Sequence, residues 1–168
     1  MSNNNSTSTN RFVYISQSPE GTKKLGKKLG KLLQGGDLVA LNGDLGTGKT
    51  CLIQGIAVGL NSRDYASSPS FSIIKEYSGD KPIYHFDLYR LTKPEELEDL
   101  GYEEYFYGDG VTLIEWAEKI KHYLPENRLL IRIKMDEHYL SRKIFFEPRG
   151  RRYLKIMEDI KDIDNFGH

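Results

Sequence analysis

The chain has 168 residues, enough to bury one core and short for two. Lysine plus arginine and aspartate plus glutamate both number 24, so net charge selects neither a nucleic-acid binder nor an acidic-surface protein. The single cysteine, Cys51, excludes a disulfide framework and a cysteine metal cluster.

No apolar run approaches the length needed to span a membrane. The N-terminus lacks the apolar core of a secretion signal, so a cytoplasmic protein that does not engage membranes is expected. Charge is uneven along the chain. Residues 11–36 carry six basic side chains against one acid, 93–118 are acidic, and 119–155 are basic again. Solvated faces are the simpler reading of these blocks, with a nucleic-acid groove as the alternative.

Residues 1–10 are Asn, Ser and Thr after Met1 and have nothing to bury, which predicts a disordered tail. Phe12-Val13-Tyr14-Ile15 predicts a strand. Ser18-Pro19-Glu20 opens a helix to about Leu33, with Leu25, Leu29, Leu32 and Leu33 on one face and five lysines elsewhere. Gly35-Gly36-Asp37 ends it and turns into an apolar strand, Leu38-Val39-Ala40-Leu41.

Gly43-Asp44-Leu45-Gly46-Thr47-Gly48-Lys49-Thr50 follows, matching G-x-x-x-x-G-K-[ST], the P-loop pattern. Leu52, Ile53, Ile56, Ala57 and Leu60 then recur at helical spacing, so the motif sits between strand and helix as its chemistry requires. The glycines allow a tight turn whose N–H groups point inward, and the helix N-terminus adds positive potential, making a polyphosphate cradle. Lys49 is placed to reach the β- and γ-phosphates and Thr50 to ligate Mg²⁺. Cys51 is expected to be a small buried residue of that helix.

Beyond a polar loop, Ser67-Ser68-Pro69-Ser70-Phe71-Ser72 stands where many P-loop enzymes carry a γ-phosphate switch, or is a plain connector. Ile73–Tyr77 and Pro82–Asp87, joined through Ser78-Gly79-Asp80, predict a β-hairpin with Asp87 at its end. Thr92-Lys93-Pro94-Glu95 starts a helix that buries Leu97 and Leu100, followed by the acidic, aromatic stretch 101–106. That stretch reads as a surface helix, or more sharply as a partner-binding face.

Val111-Thr112-Leu113-Ile114-Glu115 is an apolar β-type run ending in a carboxylate, the form of a Walker-B strand lying beside the P-loop strand. Trp116, the sole tryptophan, follows directly. Leu129–Ile133, Lys143–Phe146 and Tyr153–Lys155 predict a C-terminal run of strands with at least one antiparallel pair. His85, His122, His138 and His168 show no metal-site spacing and read as ordinary residues. The expected organisation is a tail over 1–10, one α/β domain over 11–158 with a mixed central sheet flanked by helices, and a C-terminal tail over 159–168.

Together these stretches resemble the TsaE family. Gly43–Thr50, Ser68-Pro69-Ser70-Phe71, His85-Phe86-Asp87-Leu88-Tyr89-Arg90-Leu91 and Leu113-Ile114-Glu115-Trp116 occur in the family's order and rough spacing, and Glu95-Glu96-Leu97 and Leu100-Gly101 also fit. The resemblance covers about residues 18–150. It implies a P-loop NTPase fold binding ATP and Mg²⁺, with slow hydrolysis. It also implies partners, TsaD and TsaB, that transfer threonylcarbamoyl to adenosine 37 of tRNAs reading codons that begin with A, with tRNA touched indirectly or weakly. By the same resemblance, Gly43 to Thr50 hold the nucleotide, Thr50 and Glu115 hold Mg²⁺, and Lys49, Asp87 and Glu115 act in hydrolysis. Ser68 to Ser70 form the switch, Trp116 neighbours the nucleotide, and Arg142 approaches its base. Ser70 replaces the family's usual Thr and keeps the hydroxyl without the methyl.

Two other readings share the same nucleotide site. One is a nucleotide-gated binding module with negligible turnover. The other is a small-molecule kinase, which calls for an arginine-bearing lid where this chain offers strands and an acidic helix. No guanine-selecting Asn-Lys-x-Asp is present, which argues against a GTPase.

Overall fold

The computed structural model describes residues 12–44, 46–67, 72–137 and 140–162, and the backbone of 166–167. The expected tail over 1–10, Leu45 and the switch at Ser68 to Ser70 lie outside the described residues.

The apolar runs form one sheet. Its strands in chain order are β1 (Phe12–Ser16), β2 (Leu38–Gly43), β3 (Ile74–Tyr77), β4 (Ile83–Asp87), β5 (Val111–Glu115), β6 (Arg128–Met135), β7 (Arg142–Arg149) and the two-residue β8 (Phe166–Gly167). Their spatial order is β3-β4-β5-β2-β6-β7-β1-β8. β4, β5, β2 and β6 run parallel, while β3 at one side and β7, β1 and β8 at the other run antiparallel to their neighbours. The expected hairpin, the pairing of β5 beside β2 and the antiparallel β6–β7 pair are all present.

Helices pack on both faces. On one side lie α1 (Pro19–Leu32), α2 (Lys49–Gly59) and α5 (Arg151–Ile160), burying Leu25, Leu52, Ile53, Ile56 and Ile156 against Val39, Leu41, Leu113 and Ile131. On the other lie α3 (Glu96–Asp99), α4 (Tyr102–Phe106) and a 3₁₀ segment (Ala117–Tyr123), which pack Leu97, Phe106 and Ile120 on Leu38, Ala40, Phe86 and Ile114. Alternate residues of β2 thus feed opposite cores, which is why its sequence reads as an unbroken apolar run. α1 starts at Ser18, whose hydroxyl accepts from the Gly21 N–H at 3.0 Å, a cap worth about 1 kcal/mol.

α1 and α2 touch backbone to backbone. A Cβ on Gly55 would stand 2.2 Å from the Lys23 carbonyl oxygen, and one on Gly26 2.5 Å from that of Leu52. Larger residues there would push α2 off α1, and with it the loop at its N-terminus.

Two expectations are corrected. Tyr153–Lys155 is helix, not strand: Tyr153, Ile156, Met157 and Ile160 are buried at helical spacing along α5. Its position is locked by the Arg152 guanidinium, which reaches Asp37 at 2.9 Å and the Leu32 carbonyl at 2.7 Å, and by the Tyr153 hydroxyl, which accepts from the Leu38 N–H at 2.8 Å. Residues 159–168 are not simply a tail either. Ile160 is buried in the core and Phe166–Gly167 pairs with β1, so the folded unit extends past 158.

α3 is shorter than expected, a single turn in which Thr92 bonds the Glu96 carboxylate and Leu97 is buried while Leu100 packs only partly.

Candidate functional site

Parallel strands end on the same edge of a sheet, and loops leaving that edge converge. Here the edge gathers the C-terminal residues of β2, β4 and β5, with Asp87 opposite Glu115 and Glu115 opposite Leu41. β7 begins at this edge because it runs antiparallel to β6, which brings Arg142 opposite Met135 and into the same cleft. The cleft measures about 450 Å³ and is lined by the loop and first turn of α2, by Asp87, Tyr89, Glu115 and Trp116, and by Arg142.

The glycine loop is shaped by residues no other type replaces easily. Gly46 and Gly48 sit at φ +77° and +108°, where L side chains are strained, and a Cβ on Gly48 would meet Arg142 Nε at 3.2 Å. The Thr47 hydroxyl donates to the Asp44 carbonyl at 2.8 Å and closes the turn. Gly43 and Asp44 lead into the loop without lining the cleft, while Gly46, Thr47, Gly48, Lys49 and Thr50 all line it.

Lys49 is almost fully buried, its ammonium donating to the Gly43 carbonyl and lying 3.6 Å from the Trp116 ring centroid. Burial pulls its pKa below the ordinary lysine value, against the charges of Glu115, Glu118, Asp87 and Asp44. Asp87 is displaced in the opposite sense. Burial first and the facing Glu115 charge next raise its carboxyl above the ordinary value, opposed by the Tyr89 N–H, His85 and Lys49. Thus a cation and an acid are both held where water solvates them poorly.

Trp116 holds φ +61°, a left-handed conformation rare for a bulky residue, which turns the chain sharply after Glu115. Its ring lies tilted against that of Tyr89, centroids 5.2 Å apart, and the Glu118 N–H donates to Asn42 Oδ1 at 3.1 Å, tying the turn to the end of β2.

One residue of this region was not singled out by spacing. His85, fully buried, places Nε2 2.7 Å from Glu115 Oε2 and Nδ1 2.9 Å from the Tyr77 hydroxyl. Tyr77 in turn donates to the Ser67 carbonyl at 2.7 Å. Glu115 is therefore held by a buried chain of side chains crossing β5, β4 and β3. The sequence signals available were its place at the head of the His85-to-Leu91 run and its position two residues before Asp87 on one strand, which puts both on one face.

Cys51, expected to be buried, is half-buried and lines the cleft. Arg142 lies across the glycine loop, and its buried Nε has no hydrogen-bond partner among the described residues. Among the described residues no group of three or more His, Cys, Asp or Glu side chains converges to hold a metal ion. No described helix is long and apolar enough to cross a membrane.

The family model "Threonylcarbamoyl adenosine biosynthesis protein TsaE" matches residues 16–144. The chain is 44% identical over 155 residues to the tRNA threonylcarbamoyladenosine biosynthesis protein TsaE of Bacillus subtilis, covering 90% of this chain and 94% of that one. It is 39% identical over 121 residues to the protein of the same name from Treponema pallidum, covering 72% and 90%. A crystal structure of Bacillus subtilis YdiB superposes with a TM-score of 0.76 at 39% identity, covering 89% of this chain and 93% of that one. With a family match across most of its length and relatives this similar over nearly their whole extent, the chain belongs to the TsaE family.

Proposed function

We propose that the protein is a Mg²⁺-dependent ATPase of P-loop fold that serves tRNA threonylcarbamoyladenosine biosynthesis together with TsaD and TsaB. The task rests on family membership and on the names of its relatives. The chemistry rests on one observation: a buried lysine, two facing carboxylates and a positive-φ glycine loop meet at one sheet edge.

The residues present fit the nucleotide and the metal. A Cβ at Gly46 would stand in open space, so the loop has room for a phosphate against its backbone N–H groups. Lys49, poorly solvated, gains a partner when a phosphate oxygen replaces its contact with the Gly43 carbonyl. Arg142 carries an unsatisfied Nε over Gly48, a donor suited to phosphate or base. Thr50 and Glu115 would hold Mg²⁺, which characteristically takes one or two protein oxygens and completes its shell with phosphate and water. Bound Mg²⁺ would neutralise charge developing on the phosphate oxygens.

This chain's own groups do the remaining work. His85 fixes the Glu115 carboxylate in one orientation by its 2.7 Å hydrogen bond. Asp87, with its raised proton affinity, is placed to accept a proton from a water entering the cleft. Trp116 and Tyr89 wall one side of the cleft.

The test is turnover and product in the same tubes. With TsaD, TsaB and tRNA present, ATP hydrolysis and repeated modification should both require this protein and both fall in Lys49→Ala. Glu115→Gln should keep the fold and the His85 contact while hydrolysis drops on the order of a hundredfold. ATP binding without turnover in any mixture would favour the nucleotide-gated module. Modification indifferent to the protein would remove the assigned task.

A further inference from the structure

One face of the sheet is only half covered. α3, α4 and the 3₁₀ segment seat on β4, β5 and β2 and reach Leu130 of β6. Beyond it, the same side of β6, β7 and β1 is left open by the described residues. Alternation places Arg128, Leu130, Arg132 and Lys134 of β6 on this side, since Leu129, Ile131 and Ile133 fill the opposite core. β7 adds Lys143, Phe145, Glu147 and Arg149, and β1 adds Val13 and Ile15.

The charges on this face are arranged at a cost to the fold. Lys134 stands directly opposite Lys143, and Arg128 directly opposite Arg149. Like charges facing across strands destabilise a sheet. The single carboxylate among these described residues, Glu147, is taken by Arg149 at 2.8 Å. Burial and the facing Arg149 lower the proton affinity of Arg128, whose Nε lacks a hydrogen-bond partner. Protection against edge pairing does not explain these cations, because β6 and β7 are paired on both sides. Between the cations lies an apolar floor: Leu130, Val13 and Phe145 are half-buried, and Phe145 faces Arg132 on one side and Val13 on the other. A shallow hollow of about 170 Å³ opens there.

We propose that this open face is an RNA-docking surface, with the cationic rows contacting phosphates and Phe145 offering a platform to an unstacked base. Cation rows around a half-buried aromatic on the open side of a sheet are the chemistry by which single-stranded RNA is held. The choice of tRNA as the RNA rests on the function proposed above; the surface itself does not.

The experiment uses the full chain and labelled tRNA, with affinity read across salt concentrations. For wild type, phosphate contacts by Arg128, Arg132, Lys134 and Lys143 on single-stranded segments give a slope of log K against log salt of about −2.8. Arg132→Glu/Lys134→Glu should weaken binding on the order of tenfold at moderate salt and flatten the slope by at least about 1.4. Its thermal midpoint should hold or rise, since Glu at 134 faces Lys143 as an opposite charge. Phe145→Ala should weaken binding with the slope unchanged.

Equal affinity and slope for wild type and the double variant would overturn the proposal. So would absent RNA binding in wild type, even if the double variant loses tRNA modification while keeping ATP hydrolysis, a pattern that assigns the face to an acidic protein. ATP binding measured on the same samples separates the two readings. Its absence alongside intact RNA binding strikes the ATPase and leaves the surface standing.

Discussion

On β2 and β5 nearly every side chain is buried on both faces, whereas on β6 and in the middle of β7 buried residues alternate with more open ones. The first group is parallel and delivers its C-terminal residues to one cleft; the second is partly antiparallel and presents a broad, mostly cationic side. The functions proposed above therefore enter the two halves differently. In the covered half it is confined to strand ends, where a residue can meet a ligand without opening the core. In the open half it can occupy the outward residues along the length of a strand.

That contrast predicts where substitutions are tolerated. The largest effect belongs to the covered half at Gly55→Val, whose branched side chain must displace the Lys23 carbonyl. A loss of about 3 kcal/mol in urea unfolding is expected. A wild-type midpoint would show that α1 and α2 can separate freely. Tyr153→Phe comes next. Burial lifts the Tyr153 hydroxyl to about 12, so it stays protonated and accepts from the Leu38 N–H at every ordinary pH. Its removal leaves that buried N–H unpaired, for about 1–3 kcal/mol that do not vary between pH 6 and pH 9. A loss that grows with pH would contradict the assigned hydrogen bond.

Asp87→Asn should act more gently and in the opposite direction. The folded carboxyl binds its proton more tightly than the unfolded one, so ionisation costs stability. That cost is absent below the ordinary carboxylate value and complete above the raised one. The variant should therefore melt higher at pH 7 while hydrolysing more slowly, with the gap in midpoint closing as pH falls toward 3.5. A variant less stable than wild type at pH 7 would mean that Asp87 is a structural anchor instead.

Much of the covered half was legible in the sequence because its signals are local. The glycine loop, the helix after it and the run ending in Glu115 are each contiguous, and strand and helix periods differ enough to separate them. What could not be read depends on contacts across the chain. Arg152 finds Asp37 115 residues away, and that latch helps decide that Tyr153 belongs to a docked helix. Tyr153-Leu154-Lys155 is too short to show a period, and only the buried Ile156, Met157 and Ile160 beyond it reveal the helical one. His85 carries no motif by itself, since its meaning comes from the neighbouring strand that sets Glu115 beside it. The basic block over 119–155 was visible as composition, but which cations share a face required the β6–β7 register.

The most direct measurement of the central claim uses Trp116, the sole tryptophan, whose ring lies 3.6 Å from the Lys49 ammonium. Titrating ATP into the full chain with and without Mg²⁺, while following tryptophan fluorescence, reads the cleft itself. A saturable change that tightens with Mg²⁺ and disappears in Lys49→Ala is the expected result. No change, or the same change in Lys49→Ala, would contradict a nucleotide site at this edge of the sheet.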